Sequence, residues 1–204
     1  MKKLNQLIWT LLIMFFTLTH TISPLMSKDF ELSEKFMGDD TAKNILIEYA
    51  SLSCVHCANF HNQKLPKIKK ELIDSGMVKF IYRDFPLDRP AMIASMIAQC
   101  YQKDQYFVIL NSMFKNQKKW VSVSDDQEKL KQAFYNILKV HGIKLIDISA
   151  CIEENEVNKK KWESILKTRL DGQKMGVTST PTFFLNGKKL EGNVNIKVLK
   201  DLIY

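Results

Sequence analysis

The sequence predicts an α/β fold interrupted by a block of helices. Three observations carry this prediction. An apolar strand pattern at 44–50 is followed by a helical pattern and a second strand, the middle of the chain reads as consecutive helices, and an Asn-Gly turn joins two extended runs near the end.

The chain begins with a basic Met1-Lys2-Lys3, an apolar run from Leu7 to Leu18 and polar Thr19-His20-Thr21, which is the anatomy of a secretory signal. The run is shorter than the roughly 20 apolar residues of a spanning helix. No clean small-x-small cleavage site follows it. Residues 1–27 are therefore expected to be a cleaved signal, with a retained membrane anchor as the alternative, and 28–204 to form one domain.

Asn44-Ile-Leu-Ile-Glu-Tyr-Ala50 is nearly continuously apolar and reads as a central strand, with Glu48 its one acid. Ala58 to Ser75 reads as helix, interrupted at Pro66 and ended by Gly76. Met77 to Tyr82 reads as the next strand, so strand, helix and strand make a right-handed βαβ unit. From about 88 to 156 the pattern is helical throughout. Met92, Met96, Phe107, Phe114, Phe134 and Leu138 fall at helical spacings and are expected to pack that insertion together. A further helix from Val157 to Met175 returns the chain to strand pattern at Thr182 to Leu185. Asn186-Gly187 then turns it into Lys188 to Glu191, as a type I′ hairpin requires, and Val194 to Ile203 closes as helix.

The formal charge is +8, carried by lysines spread along helical patterns, such as Lys67, Lys69, Lys70 and Lys159 to Lys161. Arginine clusters interleaved with aromatic residues are missing, so the charge reads as solvated surface and nucleic-acid binding is not expected.

The chemistry concentrates in Cys54-Val55-His56-Cys57, at the junction of a strand and a helix. Only a thiolate attacks a disulfide, and a helix N-terminus with its unpaired N–H groups and positive dipole end stabilises one on Cys54. Cys57 lies one turn on, in reach to act as the resolving thiol. An imidazole on His56 can donate to the Cys54 sulfur in the reduced form alone, which makes the disulfide form oxidising. The structural alternatives are a zinc site built from Cys54, Cys57 and His61, which lacks a fourth ligand nearby, and a purely structural Cys54–Cys57 disulfide, whose short loop would stabilise little.

Downstream, Thr180-Pro181-Thr182 precedes a strand, where proline is tolerated. The dithiol, the closing hairpin and the helix together resemble the thioredoxin superfamily. More narrowly, Cys54-Val-His-Cys57, the helical block, Tyr82-Arg-Asp-Phe-Pro-Leu87 and Gly176-Val-Thr-Ser-Thr-Pro-Thr-Phe-Phe-Leu-Asn-Gly187 resemble the DsbA-like thiol:disulfide oxidoreductases over nearly all of the chain beyond residue 40. The resemblance implies a thioredoxin fold with an inserted α-helical domain. It also implies a cis Pro181 whose neighbour Thr180 pairs with the substrate backbone, and a buried Glu48 relaying protons beneath the dithiol, where the bare strand pattern also allows a water-facing glutamate. Some members of the family carry a second cysteine pair in the helical block, which implies a disulfide between Cys100 and Cys151.

Two departures stand out. Val55 occupies the place of a usual proline, and His61 that of a common acid; His61 is expected to be a partly exposed helix residue. The N-terminal signal implies a periplasmic or extracytoplasmic protein, membrane-anchored if the signal is uncleaved, and it is expected to be a monomer that needs no cofactor or metal. By resemblance it would donate the Cys54–Cys57 disulfide to reduced or unfolded exported proteins and be reoxidised by a quinone-linked membrane partner of the DsbB type. The competing readings are a periplasmic disulfide reductase or isomerase, and a Cys/His metal-binding module.

Overall fold

A computed structural model describes residues 32–204, so the expected signal at 1–27 lies outside the described residues. Five strands form one mixed sheet in the order β1-β3-β2-β4-β5. β2 (Asn44–Ala50) and β3 (Val78–Asp84) run parallel in register from Asn44 against Val78 to Ala50 against Asp84. They are joined by helix α1 (55–73). β4 (Thr182–Leu185) lies antiparallel on the other side of β2 and continues through Asn186-Gly187 into β5 (Lys188–Leu190). Both turn residues have positive φ, 51° and 80°, the backbone that a type I′ hairpin requires and that Asn and Gly tolerate. The short strand β1 (Lys35–Met37) adds antiparallel to β3 at the far edge.

Helix α1 is one rod with an irregular winding. Val55–Asn59 is α-helical, Phe60–Lys64 widens into π turns, Leu65–Ile68 returns to α, and Lys69–Ile73 widens again. Pro66 sits in the first turn of the third segment and the rod passes through it. A widened turn upstream suits a residue with no N–H to give. Gly76, at φ 76°, ends the helical run where the sequence places its stop.

Between β3 and β4 the chain is helical: α2 (Arg89–Ala98), α3 (Lys103–Lys115), α4 (Gln117–Val121), α5 (Gln127–Leu138), α6 (Leu145–Ile152) and the long α7 (Glu156–Lys174), with α8 (Ile196–Ile203) closing the chain. Asp88, Asp126 and Asn155 each cap a helix by accepting from a backbone N–H in its first turn. The spacing of buried Leu130, Phe134, Ile137 and Leu138 presents one face of α5 to the core, where Phe134 meets Trp120 with ring centroids 5.2 Å apart. The Trp120 indole N–H is satisfied by the Met113 carbonyl at 3.0 Å, so the largest side chain of the block is buried without an orphaned donor. Met92, Met96, Phe107, Phe114, Phe134 and Leu138 are all buried. Cys100, just past α2, and Cys151 on α6 are joined by a disulfide with their Cα atoms 6.0 Å apart.

Candidate active site

Cys54 follows the turn at the end of β2 and serves as the N-cap of α1, its sulfur accepting from the Cys57 backbone N–H at 3.4 Å. The two thiols are free and lie in different surroundings. Cys57 is fully enclosed, whereas Cys54 keeps 9% of its surface in contact with solvent. The Cys54 thiol is lowered from an ordinary 9.0 to about 5. The Cys57 thiol donating to its sulfur is the largest cause; the Thr180 side chain and the backbone N–H groups of Cys57 and His56 add to it, against the opposing effect of burial. Cys57 moves the other way. Burial pushes its thiol far up, helped by the proton it gives to Cys54 and by the nearby Glu48 charge. A sulfur that ionises readily at the mouth and one that resists ionisation beneath it are the two halves of a directed exchange.

His56 is expected from the sequence to act through its ring. The structure leaves His56 exposed, and its backbone N–H is among the groups that lower the Cys54 thiol. The helix start turns the chain so that the amides converge on the sulfur while the side chains of Val55 and His56 project outward.

The Thr180–Pro181 bond is cis, and the Thr180 carbonyl accepts from the Cys54 thiol at 3.2 Å. The Thr180 hydroxyl is buried with no other hydrogen-bond partner among the described residues, which leaves its proton free to turn to the sulfur. Thr182 Oγ1 donates to the Ser179 carbonyl at 2.7 Å and holds this loop against the start of β4.

One residue matters here beyond those that the sequence singles out, and another lies elsewhere than expected. Gln117, on the short helix α4, donates its buried amide to the carbonyls of Leu52 and Cys54 at 2.6 and 2.9 Å, tying the helical block to the loop that carries the dithiol. No pattern in the sequence joins positions 52–54 to 117. His61 is buried rather than partly exposed: α1 turns it inward one turn beyond Cys57, against Glu48 at 2.9 Å and Asn111 at 3.1 Å. The i,i+4 spacing from Cys57 carries that signal. With both ring nitrogens engaged this way, His61 does not join the cysteines as a metal ligand, and among the described residues no group of three or more His, Cys, Asp or Glu is placed to hold a metal. Glu48, on β2, is fully buried and is not a water-facing glutamate.

A family model described as Thioredoxin matches residues 31–204. The crystal structure of Wolbachia pipientis alpha-DsbA1 superposes with a TM-score of 0.71 at 30% identity, over 84% of this chain and 89% of that one. The chain belongs to the DsbA-like thioredoxin family. BdbD from Bacillus subtilis shares the fold, with a TM-score of 0.67 at 22% identity over 83% of this chain and 90% of that one. Among relatives in sequence, Disulfide bond formation protein D of Bacillus subtilis is 25% identical over 172 residues, covering 82% of this chain and 74% of its own. A Rickettsia bellii relative is 27% identical over 165 residues, which is 79% of this chain and 61% of that longer protein. In this DsbA-like chain, then, the sheet with its inserted helices is family architecture, and the dithiol at the start of α1 lies beside the cis Thr180–Pro181 bond. Val55 and the buried His61 are where it departs from the sequence pattern expected of the family.

Proposed function

We propose that this protein is a dithiol oxidase that donates its Cys54–Cys57 disulfide to exported proteins outside the cytosol. The observation that carries the reading is the opposed ionisation of the two thiols. With Cys54 lowered to about 5, the reduced form holds a stable thiolate at neutral pH, and whatever stabilises the reduced form makes the disulfide a stronger oxidant.

A substrate thiolate attacks the Cys54 sulfur of the disulfide, the Cys54–Cys57 bond breaks, and Cys57 leaves and takes up a proton. A second substrate thiolate attacks the substrate sulfur of the mixed disulfide and expels Cys54 as a thiolate. The substrate has lost two electrons to form its disulfide, and the enzyme has gained them as Cys54 thiolate and Cys57 thiol. Thr180 and Pro181 border the reacting sulfur, where an extended substrate would pair its backbone. Exposed Val55 and Leu87 offer apolar surface to reduced, unfolded chains; the Leu87 N–H donates to Ser51 Oγ at the foot of the dithiol loop. Glu48 would relay the Cys57 proton, and a membrane reoxidant of the DsbB type would accept the electrons. The Cys100–Cys151 disulfide lies in the helical block as a structural crosslink.

Equilibration of the purified protein with glutathione redox buffers tests the direction. The expected potential lies between about −180 and −120 mV, the range of disulfide-donating catalysts. A value near that of a reductant, about −270 mV, would overturn the oxidase reading.

A further inference from the structure

We infer that His61 is a positioning residue that shares a proton with Glu48, so that the acid beneath the dithiol works as a coupled Glu48–His61 pair rather than as a lone buried carboxylate. The inference rests on the thiol exchange proposed above and names the group that supplies the proton Cys57 needs.

The geometry is closed around these two side chains. Glu48 Oε2 lies 2.9 Å from His61 Nε2, with both side chains essentially fully buried. Asn111 Oδ1 engages the other ring nitrogen at 3.1 Å, and the Phe114 ring stacks on the imidazole with centroids 4.1 Å apart and a tilt of 25°. The ring is fixed in plane and in rotation, and it holds one carboxylate oxygen in place. The other, Glu48 Oε1, is buried with no hydrogen-bond partner among the described residues, an acceptor kept open in a region that Cys57 feels electrostatically.

A lone buried carboxylate carries a large desolvation cost, and an adjoining imidazole that holds one proton in common with it leaves the pair neutral. The titratable groups facing the pair are Cys57 on α1, Tyr82 on β3 and Tyr106 on α3, with Cys54 one turn beyond and Asp84 acting on both tyrosines. Burial drives both tyrosines well above their ordinary range, so they stay neutral at working pH. The pair is what remains to exchange a proton with Cys57. When the disulfide is attacked, the neutral pair gives its shared proton to the departing Cys57 sulfur and is left with one negative charge. On reoxidation Cys57 returns that proton as its sulfur attacks.

The test is the reduction of oxidised protein by a small dithiol, followed by stopped flow from pH 5 to 9 in wild type, His61→Gln, Glu48→Gln and the double variant. Gln keeps a polar side chain at either position but cannot carry the proton. Each single variant is expected to slow the reduction about 100-fold at pH 7, as loss of a positioned general acid does, and to shift the pH profile. The double variant should be no slower than either single one, because the pair acts as a unit. Should His61→Gln fail to fold, Asn111→Leu, which removes the partner of the other ring nitrogen and leaves the Glu48 carboxylate in place, must slow the reduction and shift the pH profile, and an unshifted profile there would overturn the inference. A profile of wild-type shape in the folded variants, or losses that multiply in the double variant, would overturn the inference. The half-reaction runs whichever way the protein serves in its cell. An oxidase reading sunk by a reducing potential would therefore leave this result standing, and the reverse holds too.

Discussion

The lowered Cys54 thiol makes the relative stability of reduced and oxidised protein depend on pH in a defined window. In the folded reduced protein Cys54 ionises at about 5 against an ordinary 9.0, whereas in the oxidised protein it does not ionise at all. A depressed folded-state pKa stabilises fully above the unfolded value, and that stabilisation is lost as pH falls toward the folded value. Raising the pH from 5 to 8 should therefore favour the reduced fold by about 1.4 kcal/mol per unit, or about 4 kcal/mol in all. Residual contact of the sulfur with solvent screens the interaction and trims this to roughly 3 kcal/mol. The crosslink also constrains the unfolded oxidised chain, but that contribution does not vary with pH and drops out of the slope. At this chain length roughly 3 kcal/mol corresponds to a change of about 6–12 °C in the difference between the two melting temperatures. Melting reduced and oxidised protein in parallel at pH 5, 6, 7 and 8 measures it. A difference that stays flat across that range, together with a thiolate absorbance that rises only near pH 9, would refute the account of Cys54.

Other expectations follow from single contacts. Thr180→Val removes the hydroxyl beside the Cys54 sulfur and should raise that thiol by about one unit, since a hydrogen bond to a charged group is worth about 1.5–3 kcal/mol; alkylation rate against pH reports it. Gln117→Leu leaves two buried carbonyls without their donor and should destabilise the protein by about 1–3 kcal/mol in denaturant, with the dithiol loop losing amide-exchange protection first. Replacing Cys100 and Cys151 by alanine opens a loop of sequence separation 51. On the chain-entropy model it should lower stability by about 4 kcal/mol, measured by urea unfolding under oxidising conditions.

Much of this molecule is legible in its sequence because its signals are local. The uninterrupted apolar run at 44–50, the Asn-Gly turn and the helical spacing of Phe134 and Leu138 each state their structure within a few residues. β1 is different. It has only three residues, and Lys35, buried with its ammonium near the Tyr101 carbonyl, hides the alternation that would mark a strand. The five-residue helix α4 is too short to show a period. At the site, the nucleophile is readable from the helix start, but the groups that tune it are not. The amides of residues 56 and 57 act through backbone direction, which leaves no trace in side-chain identity. His61 is drawn inside by partners 13 and 50 positions away, and a polar residue on a helix looks exposed until the strand beneath it is known to carry an acid.

The amide of Gln117 makes the helical block part of the redox machinery. Because one side chain from that block grips the carbonyls on either side of Ser53, the block cannot slide, tilt or be exchanged without moving the backbone that aims the Cys54 sulfur. A chimera that grafts a relative's helices onto this sheet would have to bring a donor of the same reach to that place. Sequence drift in α4, far along the chain from the cysteines, would register as a change in redox behaviour before it registered as a change in fold.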